Sequence, residues 1–247
     1  MNRTEYASIF ALEETHWWYR GLRDLVEAQV RRLGRSDLRM LDAGCGTGGM
    51  MARLAKYGAV DGIDYADEAV AFCRERGLEG ARQGDLNDCA LPRETYDVIV
   101  SLDVLYHRAI NDDGAVLARL ASALKPGGTM ILNLAAFECL RRGHDIAVET
   151  KRRYRAGEVR RMVAAAGLEA RVVTYRLPLL FPAAYAAKMI GRARGRAAMA
   201  ASDLRMPPRP VNRLLRALAG AENALICRGV ALPFGTSVFT VAYKPSQ

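Results

Sequence analysis

The residues best able to bind a ligand lie in and after the stretch LDAGCGTGG at positions 41–49. Its glycines fit both Gly-x-Gly-x-Gly and Gly-x-Gly-x-x-Gly, and the second spacing is typical of a dinucleotide-binding turn. Asp42, however, precedes the glycines where its carboxylate would repel a pyrophosphate and attract a cationic centre or an amino group. Asp64, 18 residues after Gly46, can accept hydrogen bonds from ribose hydroxyls, and Asp85 can accept one from an adenine amino group. Together these acids favour S-adenosylmethionine over a dinucleotide.

These residues are positioned by strands and helices that alternate along the chain. Short apolar or alternating runs predict the strands, and apolar residues at helical spacing predict the helices. The predicted strands are 37–44, 59–65, 96–105, 129–137, 168–176 and 235–244, and the predicted helices are 17–33, 48–58, 67–77, 112–128 and 156–167. This alternation favours an α/β fold with a doubly wound parallel sheet.

The alternation stops between residues 177 and 234, where helical sequence is split by a proline-rich turn at 207–210. We therefore expect an N-terminal lid helix region at 1–36, a core at 37–176 and 235–247, and a helical cap or insert at 177–234. The insert combines apolar bulk with basic ends, as a helix at a membrane surface does, and a plain cap explains it equally well.

Five stretches occur in the order and spacing of class I S-adenosylmethionine-dependent methyltransferases: LDAGCGTGG, VDGIDY, GDLND, YDVIVSLDVLYH and LKPGG. The chain resembles that family over about residues 38–175 and the final strand. The resemblance implies a Rossmann-like, seven-stranded sheet whose last strand, 236–243, runs antiparallel. An ordinary Rossmann oxidoreductase is the alternative interpretation of the glycine loop.

The resemblance also implies a set of cofactor contacts. The glycine loop would back the methionine part of S-adenosylmethionine, Asp64 would hold the ribose, and Asp85 and Leu86 would flank the adenine. The residues predicted to contact the cofactor are Asp42, Gly44, Cys45, Gly46, Asp64, Tyr65, Asp85, Leu86, Leu102, Tyr19 and Arg23.

The net charge of +9 comes from 36 Lys and Arg against 27 Asp and Glu, and the basic excess lies in one part of the chain. Residues 141–216 hold 18 basic and 5 acidic residues, so the remainder holds 18 basic and 22 acidic ones. This pattern fits contact with phosphate, nucleic acid or a membrane surface, and equally a solvated arginine-rich surface.

Cysteine usage and the polar N-terminus indicate the compartment. The five cysteines are scattered without a C-x-x-C pair, which predicts free thiols in a reducing compartment and no metal site. The first residues are unlike a secretory signal, and the sequence carries no apolar run of membrane-spanning length. We expect a cytoplasmic protein, with peripheral contact at the inner membrane face left open.

The acceptor is constrained by signatures that the sequence lacks. SLDVLYH, at the end of the predicted strand 96–105, is not the Asn/Asp-Pro-Pro-aromatic motif of amino methylases of nucleic-acid bases. No cysteine is placed beside a proline as in five-position cytosine methylases, and the tetrad of ribose methylases is not apparent. These absences favour a small-molecule acceptor over nucleic acid.

Two further stretches, EETHWWYRGLRDL and RRGHDIAVETKRRYRAGEVRRM, resemble a bacterial subgroup with an N-terminal Glu-Glu-x-His-Trp-Trp-aromatic motif. Many members are associated with lipid, polysaccharide or secondary-metabolite pathways, which implies O-methylation of a small acceptor that is lipid-like, sugar-bearing or anionic. The alternatives are an RNA or ribosome methyltransferase and a non-catalytic cofactor-binding regulatory subunit. A homodimer is left open.

Methyl transfer to a hydroxyl needs positioning and a general base. His144 and Asp145 follow the strand 129–137, and His107 follows the strand 96–105, so we expect them at the carboxyl edge of the sheet. We predict His144 as the base and His107 as its alternative, although a structural hydrogen bond would explain either histidine. The aromatic residues at 17–19 form either a lid that excludes water or an anchor for the first helix. The residues predicted to contact the acceptor are Trp18, Tyr106, Arg153 and Tyr154.

Overall fold

A computed structural model describes residues 3–193 and 205–246. The strands are β1 (Leu38–Ala43), β2 (Gly58–Asp64), β3 (Ala81–Gln83), β4 (Tyr96–Leu102), β5 (Leu124–Ala135), β6 (Glu169–Arg176) and β7 (Ser237–Tyr243). They form one sheet in the order β3-β2-β1-β4-β5-β7-β6. Strands β1 to β5 pair in parallel, and β7 runs antiparallel to both β5 and β6. The predicted doubly wound sheet and its antiparallel last strand are confirmed.

Helices cover both faces of the sheet. They are α1 (Arg3–Leu12), α2 (Trp17–Arg31), α3 (Gly49–Leu54), α4 (Asp67–Glu75), α5 (Asp113–Ala123), α6 (Gly143–Ala147), α7 (Ala156–Ala165), α8 (Leu180–Ala193) and α9 (Arg209–Cys227). On β4, Val98 and Val100 pack with α2, α3 and α9, while Ile99 packs on the opposite face with α5 and α7. This double burial explains the apolar run at residues 98–100 of β4.

The insert packs on the N-terminal region through α9 and α2. Gly21 lets these helices approach closely, because a Cβ atom there would lie 3.0 Å from the Cβ of Ala219. The side-chain amide of Asn223 donates a hydrogen bond to the Gly21 carbonyl at 2.7 Å. None of the helices in the described ranges combines the length and the apolar character needed to cross a membrane.

Helix α1 was not predicted from the sequence. Among its side chains whose burial is described, only Tyr6 is buried, so apolar periodicity gives little signal there. The helix packs mainly on α4. Its position matters because it brings the N-terminal segment over the end of β2, where Asp64 lies.

Candidate active site

The carboxyl ends of β1 and β4 border a cavity of about 1230 Å³. Strand order reverses there, because β2 lies on one side of β1 and β4 on the other, and open α/β sheets bind ligands at such a point. The cavity wall comes from α1, α2, the glycine loop, the ends of β2 and β4, and α8. A second cavity of about 140 Å³ shares part of that wall.

Most of the residues predicted for the site line the large cavity. They are Trp18, Tyr19, Arg23, Asp42, Gly44, Cys45, Gly46, Asp64, Tyr65, Asp85, Leu86, Leu102, Tyr106, His107 and His144. Of the other three, Asp145 and Arg153 line only the small cavity, and Tyr154 lines neither. Tertiary structure thus brings the predicted cofactor residues together at one edge of the sheet, while their individual roles stay predictions.

The glycine loop between β1 and α3 needs glycine at Gly44 and Gly46 for different reasons. Gly44 and Gly46 have φ angles of +89° and +52°, in the left-handed region that favours glycine. A Cβ atom at Gly44 would lie 2.1 Å from a methyl carbon of Val104. The N–H groups of Gly44 and Cys45 donate to the carbonyl of Ile63 at 2.8 and 3.0 Å. The loop is therefore fixed against β2 and leaves its backbone in the cavity wall.

Asp42, on β1 just before this loop, lines the cavity and is only 2% exposed. Its Oδ2 atom has no hydrogen-bond partner among the described residues. Burial, together with the Asp64 carboxylate, raises the pKa of Asp42 to about 7, although the Arg23 guanidinium acts in the opposite direction. A positive charge nearby would stabilise the ionised form, so this wall favours a cationic group.

Asp64, at the end of β2, is held by hydrogen bonds to both carboxylate oxygens. The N–H of Gly46 donates to Oδ2 at 2.8 Å, and the N–H of Ala66 donates to Oδ1 at 3.0 Å. The Tyr6 hydroxyl also donates to Oδ1, at 3.5 Å. Burial raises the pKa of Asp64 in spite of these hydrogen bonds. The neighbouring Tyr65 is 64% exposed at the cavity edge.

Asp85 lies in the loop after β3 and is also oriented by a local turn. Its Oδ1 accepts hydrogen bonds from the backbone N–H and the side-chain amide of Asn87, at 2.9 and 2.6 Å. The Asn87 amide donates in turn to the carbonyl of Ala109 at 2.8 Å. Because Ala109 belongs to the loop after β4, these contacts join two loops of the cavity edge.

A charged network that the sequence analysis did not predict ties the N-terminal helices to the glycine loop. Buried Glu13 pairs with Arg23 and Arg76 and accepts a hydrogen bond from the Thr47 hydroxyl at 2.6 Å. Glu14 pairs with the same two arginines, at 2.9 and 3.3 Å. Arg23 therefore fastens α2 to the glycine loop, and its guanidinium already has two carboxylate partners. The two adjacent glutamates of EETHWW are the sequence feature that could have indicated this network.

The same motif also contacts the insert. His16 caps α2, because its Nδ1 accepts a hydrogen bond from the N–H of Trp18 at 3.3 Å, and its imidazole also bonds the backbone of Arg205. Asn212 on α9 accepts from the N–H of Trp17 at 2.9 Å and donates to a backbone carbonyl two residues before Trp17, at 3.0 Å. The aromatic residues thus line the cavity while their backbone is anchored to the insert.

Asp103, which the sequence analysis missed, follows β4 and lines both cavities. It has a φ of +62°, a strained value for a residue other than glycine. The Asn133 amide donates to both carboxylate oxygens, at 3.0 and 3.1 Å, and the Tyr106 hydroxyl donates to Oδ1 at 3.2 Å. Burial raises the pKa of Asp103 to about 6, against these hydrogen bonds and the charge of Arg176. The position of Asp103 directly after a central strand is the sequence feature that could have indicated a site residue.

The two predicted histidines differ in their surroundings. The Nδ1 of His107 accepts a hydrogen bond from the N–H of Ala109 at 3.1 Å, which fixes the loop after β4. Burial lowers the pKa of His107, although the carboxylates of Glu149 and Asp64 act in the opposite direction. His144, in α6, lines both cavities, as Asp103 does. His107 therefore has a structural hydrogen bond, and His144 lies on the side of the site where Asp103 lies.

Three predicted site residues make contacts that stabilise the fold. Asp145 accepts hydrogen bonds from the Arg153 guanidinium at 2.8 and 3.0 Å and from the N–H of Arg142 at 2.9 Å. Burial opposes ionisation, but these partners outweigh it and lower the pKa of Asp145. Tyr154 is fully buried and donates to the Asp113 carboxylate. The core encloses the side chain of Tyr154, apart from both cavities, and its predicted acceptor contact stays a prediction.

Sequence comparisons show that part of this site lies in a segment similar to a known domain. Residues 41–132 match a family model described as "Methyltransferase domain". The ubiquinone biosynthesis O-methyltransferase of Bradyrhizobium sp. (strain ORS 278) is 35% identical over 103 residues, which are 40% of this chain and 40% of that protein. The protein of the same name from Marinobacter nauticus is 30% identical over 151 residues, 54% of this chain and 62% of that protein. The chain thus spans less than two thirds of either relative's length.

A comparison with solved structures shows the same fold. The crystal structure of an S-adenosylmethionine-dependent methyltransferase from Mesorhizobium loti matches with a TM-score of 0.60, covering 94% of this chain and 99% of that chain. The sequence identity of 16% is low, so this similarity concerns the fold alone. The shared architecture is the seven-stranded sheet with antiparallel β7, on which the cavity at β1 and β4 is built.

Proposed function

We propose that this chain, whose residues 41–132 match a methyltransferase domain model, transfers the methyl group of S-adenosylmethionine to an oxygen atom of a small molecule. The observation that carries the proposal is the buried Asp42 carboxylate beside the glycine loop. Its Oδ2 atom has no hydrogen-bond partner among the described residues. S-adenosylmethionine has a sulfonium and an ammonium group, so its charge fits this wall, whereas a pyrophosphate does not.

The remaining cofactor contacts are proposed for residues that the structure holds in place. Asp64, fixed by two backbone N–H groups, would accept from the ribose hydroxyls, and Asp85 with Leu86 would border the adenine. The bound cofactor would supply an electrophilic methyl group. The protein's part is to orient the acceptor in line with that group and to exclude water. Trp18 and Tyr19, which line the cavity from α2, would exclude water from the transfer.

We assign the general base to the part of the wall shared by the two cavities. Asp103 is ionised above its pKa of about 6, and its Oδ1 or Oδ2 can take the proton that the acceptor hydroxyl loses. Asn133 and Tyr106 donate to this carboxylate and hold it in one orientation. His144 remains the alternative base, because it lines the same two cavities.

The acceptor end of the cavity favours a small molecule with an apolar body. Its wall includes Trp18, Leu180 and Leu215, together with the alanines at 183–184 of α8. The curated relatives named as O-methyltransferases support oxygen as the methylated atom. An RNA or ribosome substrate is the second candidate, favoured by the exposed arginines of α9.

The proposal is tested by label partition. Purified protein is given methyl-labelled S-adenosylmethionine and an extract of its own source cells, and the products are separated into organic, aqueous small-molecule, protein and nucleic-acid fractions. We expect base-stable label in the organic or small-molecule fraction, and less of it at subsaturating cofactor when Asp42→Asn replaces the wild type. Label that nuclease releases would establish the RNA alternative. Binding of the cofactor without any labelled product would favour a regulatory subunit.

A further inference from the structure

Exposed apolar side chains are concentrated on the insert. Thirteen large apolar residues are exposed in the described part of the chain, and eleven of them lie between Leu179 and Phe234. The two others, Tyr65 and Ile146, lie elsewhere. Exposed apolar side chains concentrated in one segment indicate a surface that contacts another molecule.

Helix α9 shows that this exposure is organised. Its inner side chains, Ala219, Asn223 and Ile226, are buried against α2. On the outer side, Val211, Leu214, Leu218 and Leu225 recur at spacings of three, four and seven residues, and Leu214 is 60% exposed. A surface helix of a globular protein is normally polar on its outer side, so this second apolar stripe is not needed for folding.

The charges around the stripe indicate what covers it. Arg209, Arg213, Arg216 and Arg228 are exposed on α9 or directly after it. Within the described ranges, none of these arginines has a carboxylate at salt-bridge distance, and the only acid of α9 is Glu222, which turns inward toward Arg176. An exposed apolar stripe and exposed, unpaired arginines on one helix are typical of a helix lying in the interface of an anionic bilayer, where long arginine side chains can reach the headgroups.

A second copy of the chain fits the same surface less well. A two-fold symmetric contact would place this basic face against itself, and the described residues of α9 offer no exposed carboxylate to compensate. An anionic lipid surface provides both the apolar layer and the negative charge.

We propose that the face formed by α9 and the exposed side of α8 docks the protein on an anionic membrane, from which an amphipathic acceptor enters the cavity. Helix α8 connects the two, because Leu180 lines the cavity while Tyr185 and Met189 are exposed on the outside. Leu215 of α9 lines the cavity between the exposed Leu214 and Leu218. The entry of an acceptor rests on the proposed methyl transfer, whereas docking itself does not.

Docking is tested by flotation with two kinds of vesicle, phosphatidylcholine alone and phosphatidylcholine mixed with phosphatidylglycerol. We expect the wild-type protein to float with the anionic vesicles and to bind them with at least about tenfold higher affinity than neutral vesicles. Leu214→Glu combined with Leu218→Glu should reduce that binding about tenfold or more, because two carboxylates enter the apolar stripe. The matched control, Ala164→Glu with Ala165→Glu, changes the charge equally on exposed positions of α7, on the opposite face of the sheet.

A second variant keeps the proposal testable if the first one misfolds. Arg213→Gln with Arg216→Gln leaves the apolar stripe intact and should weaken binding to anionic vesicles only, as should raising the salt concentration. Equal flotation of wild type, both variants and the control would overturn the proposal. Sedimentation that shows a dimer which the leucine variant dissociates would instead assign the face to a second copy. Since flotation needs no turnover, its failure is distinct from a failure of the proposed methyl transfer.

Discussion

The titration of Asp42 gives the sharpest prediction for cofactor binding. In the protein alone its pKa is about 7, raised chiefly by burial. A cationic ligand beside the carboxylate stabilises the ionised form and lowers that pKa in the complex. Binding below pH 7 must therefore release a proton, and the affinity for S-adenosylmethionine must fall as the pH falls.

The size of the effect follows from the ionised fraction of Asp42. With a pKa of about 7, that fraction is roughly nine tenths at pH 8, one half at pH 7 and one eleventh at pH 6. If only the ionised form binds the cation well, the dissociation constant rises about tenfold from pH 8 to pH 6. About 0.9 proton is released for each molecule bound at pH 6.

Isothermal titration calorimetry at pH 6, 7 and 8, in two buffers of different ionisation enthalpy, measures both quantities. Asp42→Asn should bind S-adenosylmethionine more weakly at pH 8 and lose the steep pH dependence of the affinity. Any pH dependence that remains in this variant reports the titration of the cofactor's own amino group and is subtracted. Asp61→Asn, at a position on β2 outside the cavity, is the matched control and should behave as wild type. Wild-type binding without proton release at pH 6 would refute the proposed role of Asp42.

Folding stability provides an independent readout of the same carboxyl. Between its ordinary pKa near 4 and its raised value of about 7, Asp42 binds more protons in the folded than in the unfolded protein. The free energy of unfolding must therefore decrease as the pH rises through this window, by up to about 4 kcal/mol. Asp42→Asn should flatten that decrease, as urea denaturation from pH 4 to pH 8 would show.

Three further outcomes are expected. If Asp103 is the base, kcat/KM of the wild type falls below about pH 6, and Asp103→Asn lowers kcat about 100-fold or more with unchanged cofactor binding. Intact turnover of His144→Ala would remove that histidine from the mechanism. Loss of turnover in His144→Ala, with turnover kept in Asp103→Asn, would instead make His144 the base. Arg153→Ala should cost about 3 kcal/mol in urea denaturation, because it leaves a buried carboxylate unpaired, and a loss under 1 kcal/mol would contradict this. Gly44→Ala should weaken cofactor binding and destabilise the fold. The control is Gly34→Ala, because Gly34 has a φ of +66° but open space around it, and this change should cost only about 1 kcal/mol of backbone strain. Equal effects of the two substitutions on stability would argue against the close contact at Gly44.

The sequence was sufficient for the fold class and for six of the seven strands, while β3 was not predicted. The alternation of apolar strands with amphipathic helices predicts a doubly wound sheet, and parallel strands have their carboxyl ends at one edge. Asp42 and Asp64 lie near the ends of predicted strands, so the convergence of these two residues on one cavity follows from local pattern. Asp85 follows β3, whose three residues are too few to give a strand pattern.

The residues on the acceptor side of the site could not be predicted from the sequence in the same way, because their contacts join residues far apart in the chain. The hydrogen bonds that hold Asp103 come from Asn133, 30 residues away in the chain. The same is true of the network at the glycine loop, where Glu13 contacts Thr47, 34 residues away. Tyr154 matched a motif, yet only packing shows that the core encloses it.

What the sequence alone determined is the order of elements, the glycine loop and the acids at the strand ends, since these depend on spacing along the chain. What only the tertiary structure decided is which polar groups are buried together and which apolar surfaces stay uncovered. Helix α9 is the clearest case. Apolar residues lie on two of its sides, and periodicity cannot show which one packs on α2. The fold buries the side with Ala219 and Ile226 and leaves Leu214 and Leu218 exposed, because only one side of the helix can face the sheet.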